Sequence, residues 1–394
     1  MTFGLRRDVL REHESPRSDR VTYVELFFDL VFVFALTQLG SYLYEHQTPL
    51  GALEGLTLLC ALWWAWVSTT WVTNWLDPVR LPVRMAVIVL AFIAFVMSVS
   101  IAEAYGDRAW AFAIAYVVLQ VGRTAFLVWA MARHDSAAAR DFAHVLAWAS
   151  AGAVLWIVGA LVPLSLQLPL WVAAVAVELL GSVLGYPVPG RGRVSIRAWD
   201  VSGPHIAERT ALVVLIALGE GLLVTGFAFV ATESSVESVV AIATALVAAA
   251  ACWWIYFDHG ERIGSDVIEA SGSSGRLART AYSWVHLAIV GGIVMLGVGD
   301  KELLGHPHEQ SFPAVVTVLG GPLLFLIGTV LFRRVLERRW AIAQLGGLLA
   351  LAVVAAFTPF IDPLTTGVLA AAALAVAAVG ETIERVRRGR PRGG

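Results

Sequence analysis

The sequence is poor in the groups that build soluble enzymes. Its 394 residues include two cysteines, Cys60 and Cys252, each inside an apolar run, so neither a disulfide framework nor a zinc site is indicated. Charged residues make up 15% of the chain, against about 25% in soluble domains. No polar stretch is long enough to form a nucleotide-binding domain, which argues against a nucleotide-driven pump. There is no His-x-x-x-His pair, no Gly-x-Ser-x-Gly elbow and no phosphate-cradling loop, so an enzyme is not the expectation and no cofactor is implied. Residues 1–20 lack an apolar core and a small-residue cleavage site, and the first apolar run carries two acids. That run is therefore expected to be retained as a helix and not removed as a signal peptide.

What the chain has in excess is apolar sequence, at 58% hydrophobic residues. A membrane-spanning helix needs about 17–25 mostly apolar residues. Runs of that kind fall at 21–44, 52–75, 83–103, 109–132, 141–163 and 168–187. Six more follow at 208–231, 237–258, 279–299, 313–333, 340–358 and 363–384. The predicted fold class is thus an all-α membrane protein with about twelve transmembrane helices. Basic residues give an independent reading, because they concentrate in cytoplasmic loops. With alternate connections taken as cytoplasmic, 25 of the 28 basic residues lie on one side, including Arg11 and Arg209. Arg108 and Lys301 fall opposite, and Arg123 lies within a run. Both termini are therefore expected in the cytoplasm.

The two halves share an order of features. Glu25 and Glu208 enter the first and seventh runs, Trp63-Trp64 and Trp253-Trp254 lie in the second and eighth, and Arg84 and Arg279 open the third and ninth. Pro163 and Pro359 close the fifth and eleventh. A six-plus-six parallel pseudo-repeat follows as an expectation. The domains are then a basic segment at 1–20, a first half at 21–187, a linker at 188–207, a second half at 208–384 and a basic tail at 385–394.

In so apolar a chain the informative residues are ionisable groups at membrane depth, each costing about 2.5–3.5 kcal/mol at the bilayer centre on insertion scales. They are Glu25, Asp29, Arg123, Glu178, Glu220 and His286, with Asn74 and Asp258 near helix ends. Glu25 and Asp29 are four apart, hence on one helix face. Together they could hold a proton, coordinate a cation or pair with a base; the plainer reading is an ion pair with arginines at the membrane surface. Arg123, taken as the only basic side chain in mid-membrane, requires a carboxylate, and Glu178 and Glu220 are the candidates. A bundle-locking salt bridge and a substrate or gating role are both open. Glu220 is flanked by Gly219 and Gly221, which permit close approach. A lone membrane histidine such as His286 more often hydrogen-bonds a neighbouring helix than carries protons. The tryptophans of the second run are in part belt residues, and those nearer mid-helix read as packing, with an aromatic cage as the alternative. Gly320-Gly321-Pro322 is expected to break the tenth run, an interruption that often marks the substrate site in transporters and is equally a packing kink in any membrane bundle. Gly181 and Gly185 are spaced for close helix packing. His306, His308 and Glu309 share a loop, where metal binding would be opportunistic and no metal site is assigned.

The run Glu25-Leu26-Phe27-Phe28-Asp29-Leu30-Val31-Phe32-Val33-Phe34-Ala35 resembles the signature of the bacterial low temperature requirement A family of membrane proteins. Trp63-Trp64-Ala65-Trp66, the stretch Trp71-Val72-Thr73-Asn74 and Asp77-Pro78 are similar to that family's second helix. Glu208-Arg209, Leu218-Gly219-Glu220 and Tyr282-Ser283-Trp284-Val285-His286 are similar to its later motifs, so the likeness spans about 19–384. The resemblance implies a multi-pass fold and supplies no reaction or substrate. The first run is also similar to the first helix of twelve-helix potassium channels of endosomes and bacteria, although Phe28 stands where those carry serine. The leading expectation is a secondary transporter or permease that uses buried carboxylates for proton or cation coupling. The alternatives are a potassium-like cation channel, a membrane sensor or an intramembrane enzyme. The expected partners are the lipid bilayer and a small solute or ion, without nucleic acid; an oligomer is open.

Overall fold

A computed structural model describes residues 9–11, 20–132, 135–194, 202–258 and 277–389. The arginines before Arg11, Arg17, Arg133, Arg197, Arg262, Arg276 and the last five residues, all read above as cytoplasmic anchors, lie outside the described residues. Twelve helices among the described residues are long and apolar enough to cross a bilayer. They are α1 (Tyr23–Glu45), α2 (Pro49–Trp75), α3 (Leu81–Val99), α4 (Ala109–Met131), α5 (Ser136–Leu161) and α6 (Leu164–Leu184). The others are α7 (Gly203–Ala231), α8 (Val236–Phe257), α9 (Arg279–Gly305), α10 (Phe312–Glu337), α11 (Ile342–Phe360) and α12 (Pro363–Gly389). Only two isolated β-bridges occur among these residues, Leu10 with Leu76 and Val188 with Gly192.

Local chemistry sets the helix ends. Asp135 accepts from the amides of Ala137 and Ala138 at the start of α5, and Ser311 accepts from Ala314 at the start of α10. Ser235 and Ser238 cap α8 reciprocally. Gly185 ends α6 in the left-handed conformation with φ of 75°. It is therefore a stop, and the close approach it permits is to the Val194 carbonyl, 2.9 Å from where a β-carbon would lie, and not to another helix. Gly181 does pack closely, since a β-carbon there would lie 2.8 Å from the Trp148 ring of α5.

Three sequence expectations change. First, α7 begins at Gly203 and not at 208, because the Ser202 hydroxyl accepts from the His205 amide and Pro204 occupies the first turn, where its missing N–H costs nothing. Arg209, which the basic count assigns to the connection before the seventh run, is thereby drawn into the span, where it is fully buried. Second, α10 runs unbroken through Pro322. Its glycines serve contact with α9: a β-carbon on Gly321 would lie 2.6 Å from the Leu296 nitrogen, and one on Gly292 of α9 would lie 2.5 Å from the Phe325 nitrogen. Third, two helices contain π-helical turns, Val118–Gly122 in α4 and Arg279–Val285 in α9.

The described residues group into two compact units. The first holds α1 up to Tyr42 and then Pro49 to Arg209; the second holds Leu43–Thr48 and the chain from Thr210 onward. The division falls within α7, so its first two turns belong to the first unit.

Candidate functional site

The most concentrated buried charge lies in the first unit. Glu25 and Asp29 sit one turn apart on α1 and both are inaccessible to solvent. Arg209 of α7 lies between them, with Nη2 2.9 Å from Asp29 Oδ1, Nε 3.1 Å from Asp29 Oδ2, and Nη1 3.5 Å from Glu25 Oε1. Nη1 also donates to Thr73 Oγ1 of α2 at 2.6 Å. Trp66 of α2 donates its indole N–H to Asp29 Oδ1 at 2.7 Å. Phe28 and Trp66 carry their rings 5.7 Å from the guanidinium carbon of Arg209, a cation–π distance. The other carboxylate is equally engaged. Glu25 Oε2 accepts from the Thr22 amide and hydroxyl at 2.9 and 2.8 Å, and its Oε1 lies 3.6 Å from Arg11.

His205 adds a proton-carrying group. Its Nε2 is 2.8 Å from Glu25 Oε1 and its Nδ1 is 3.2 Å from the Asn74 amide nitrogen. The backbone fixes which way Asn74 points: the Ser202 N–H donates to Asn74 Oδ1, while Asn74 Nδ2 donates to the Ser202 carbonyl, both at 3.1 Å. Asn74 Nδ2 therefore also faces His205 Nδ1 as a donor, and the imidazole proton is placed on Nε2, toward Glu25. With a neutral imidazole, two carboxylates face two guanidinium groups and the cluster is electrically balanced. One further proton would unbalance it. Replacing Trp66 by Phe keeps the aromatic bulk but strips a donor from Asp29. We expect a loss of about 1–3 kcal/mol, read as a lower unfolding temperature of detergent-solubilised protein; unchanged unfolding would refute the role given to this bond.

Arg123 and Glu178 occupy a second buried cluster in the same unit, and they do not pair directly. Glu178 accepts from Tyr116 at 2.7 Å, from Gln120 at 2.7 Å and from Trp156 at 3.1 Å. Gln120 passes the contact on, its oxygen accepting from Arg123 Nη2. Arg123 Nη1 donates to the Ala65 carbonyl and to Thr69 Oγ1, both at 3.0 Å. The π-helical turn before Arg123 sets this arrangement. A crevice of about 200 Å³, almost wholly apolar, runs beside it along Val72, Val87, Leu90 and Phe126.

The remaining candidates lie in the second unit. His286 of α9 follows that helix's π-helical turn, with Nε2 2.8 Å from the Tyr256 hydroxyl of α8 and Nδ1 2.8 Å from the Ala281 carbonyl. The rings of Tyr256, Tyr282 and Phe332 surround it. Glu220 is half-buried on α7. Asp258 closes α8 and pairs with Arg385 at 2.7 Å. In the connecting loops, His308 pairs with Asp362 at 2.7 Å and not with Glu309. Slight burial opposes ionisation of Asp362, but the Thr365 hydroxyl and amide and the His308 ring outweigh it and hold the carboxyl below its usual range.

The sequence-level motifs now have a place. The signature acids of the first run and Arg209 of the seventh meet in one cluster, with Trp66, Thr73 and Asn74 from the second, while Glu208 accepts from the Val21 amide at 3.2 Å. The family model of the bacterial low temperature requirement A protein (LtrA) matches residues 20–379. The chain belongs to the LtrA family. An uncharacterized protein from Rhizobium meliloti (strain 1021) is 35% identical over 374 residues, covering 94% of this chain and 91% of that protein. No solved structure matches the chain. The LtrA chain described here is a multi-pass membrane protein of a bacterial family.

Sequence reasoning missed Arg209, His205 and Arg11 as site residues. Counting basic residues by side placed Arg11 and Arg209 at the membrane surface. The signal that locates Arg209 is Ser202-Gly203-Pro204, a capped helix start seven residues upstream, which puts Arg209 two turns inside the helix.

Proposed function

We propose that this LtrA protein is a secondary transporter that couples solute movement to a proton or cation through the Glu25–His205–Arg209–Asp29 cluster. The observation that supports this most is the balanced buried charge with a histidine directly on one carboxylate. A proton entering at His205 leaves an imidazolium beside Arg11 and Arg209, and the surplus positive charge weakens the hold of the cluster on Arg209. Releasing Arg209 from Asp29 is a movement of a helix-borne charge between α1 and α7. Such a step can alternate with solute binding, because buried charges rearrange only as a set.

On the same reading both termini face the cytoplasm of the bacterial membrane. Removing Arg11 and Arg209 from the basic count leaves that asymmetry in place. The two six-helix halves are taken as a parallel repeat, and no covalent chemistry is assigned to the protein. A potassium-like channel is the second reading. It draws on the likeness of Phe28-Asp29-x-Val31-Phe32 to channel first helices and would give discrete conductance steps.

The test is ion flux from sealed, potassium-loaded proteoliposomes under a defined potential and pH gradient. Wild-type protein should move protons or cations, and correctly inserted Asp29→Asn and Glu25→Gln proteins should lose at least tenfold of that flux. Equal flux in the variants would remove the cluster from the mechanism. No flux from well-folded wild type would sink the coupled-transport reading in favour of an uncoupled permease, a sensor or an enzyme.

A further inference from the structure

Asp300 lies on α9, five residues from its end, and was not singled out by the sequence because the ninth apolar run was drawn to stop at 299. Among the described residues its hydrogen-bond partner is Thr225 of α7, at 3.2 Å from Oδ2, and it takes part in no ion pair. The same Thr225 hydroxyl lies 2.9 Å from the Gly221 carbonyl, the bond a threonine commonly makes one turn back in a membrane helix. A hydroxyl has one hydrogen and can donate to one of these two oxygens. If it donates to Gly221, the shorter contact, then Asp300 must supply the hydrogen for the other. A carboxyl that donates is protonated.

The surroundings favour the neutral form. Asp300 borders a small cavity of about 20 Å³ lined by Leu218, Gly221 and Leu222 of α7, Ala245, Ala248 and Ala249 of α8, and Ile293, Leu296 and Gly297 of α9. Every other lining side chain is aliphatic or absent, and an isolated charge in such a setting is costly. The nearby titratable groups do not compensate it. Cys252 of α8 lies within reach of its field and Glu220 lies beside Gly221, neither of them basic. On α9 itself Lys301 is turned to the Tyr44 ring, and Glu302 accepts from Gln47 at 2.9 Å. At this level α10 presents Thr317 and Val318, since a β-carbon on Gly299 would meet them at 3.1–3.2 Å, and α12 presents Gly367, packed on Leu303. The charged side chains of α10 and α12 lie toward their other ends.

We propose that Asp300 is a proton-exchanging carboxyl of the second unit, with Thr225 as its switching partner and the adjoining cavity as a site for one water. A cavity needs roughly 10–15 Å³ to hold a water, so this one suffices for one. In the loaded state Asp300 donates to Thr225 and Thr225 donates to the Gly221 carbonyl. On release the Asp300 O–H bond breaks, its proton passes to the cavity water, and the Thr225 hydroxyl turns to donate to the new carboxylate. Gly221 and Gly297 keep the space open, since a β-carbon at either would meet nothing within 4 Å.

Asp300 can exchange its proton whether or not the protein transports a solute, and the exchange is read without measuring flux. Infrared spectra of the reconstituted full-length protein should contain a protonated-carboxyl band that is missing from Asp300→Asn, moves in Asp300→Glu and fades as pH is raised. The band should shift in heavy water, and Gly297→Val, which fills the cavity, should slow that shift at least tenfold. Absence of any carboxyl-band difference between wild type and both Asp300 variants would overturn the proposal. So would a wild-type band that resists heavy water, or exchange unaffected by Gly297→Val.

Discussion

Arg209→Gln is expected to destabilise the protein by about 3–5 kcal/mol, the range for removing one partner of a buried ion pair. The loss arises because, among the described residues, Asp29 keeps only the Trp66 indole as a donor, while Glu25 keeps Arg11 and His205. A carboxylate stranded at this depth finds no water to replace the guanidinium. The partner variant makes the point specific. Asp29→Asn on the Arg209→Gln background removes the stranded charge and should recover at least half of the lost stability. Thermal unfolding of detergent-solubilised single and double variants measures both terms. If Arg209→Gln unfolds with the wild type, or if the double variant is no better than the single, the cluster is not held by this pair.

Gly292→Val should be as damaging for a different reason, costing about 3 kcal/mol or more through overpacking. Its β-carbon would lie 2.5 Å from the Phe325 nitrogen and 2.8 Å from the Phe325 Cα, both backbone atoms that no rotamer change can move. α9 and α10 would have to separate along their length, losing the approach that Gly321 and Gly328 share. Gly226→Ala in α7 is the control, with nothing within 4 Å of the new carbon. It should change stability by less than about 1 kcal/mol, the scale of helix propensity alone. Equal yields of folded protein from both variants would show that the glycine contact between α9 and α10 is dispensable.

Span number and order follow from run length, because a bilayer sets a minimum apolar length for every helix that crosses it. The shared face of Glu25 and Asp29 follows from a spacing of four. Arg209 escaped because counting basic residues treats every arginine near a run as a loop residue, and the capped start at Ser202 moves this one inward. The partner of Arg123 escaped for another reason: Gln120, three residues earlier on its own helix, stands between it and Glu178, and a neutral amide attracts no notice in a search for opposite charges. The Gly320-Gly321-Pro322 motif misled because glycine serves a broken helix and a close helix contact equally well. Which of the two it serves depends on the neighbour, and the run itself does not name its neighbour.

The π-helical turns of α4 and α9 give length a meaning at two places in the chain. Each holds one residue more than an α-helical turn, and each ends where a polar side chain follows at once, Arg123 in one and His286 in the other. One residue is about 100° of helix rotation. The helix therefore changes phase at these points, and the residues beyond face directions that a straight helix would give to their neighbours. Substitutions within 118–122 leave that phase intact. A single deletion there would restore an ordinary ladder, satisfy every backbone bond, and yet swing Arg123 a quarter-turn and more away from Thr69 and Ala65. At these two positions the direction of the following side chain is set by how many residues precede it.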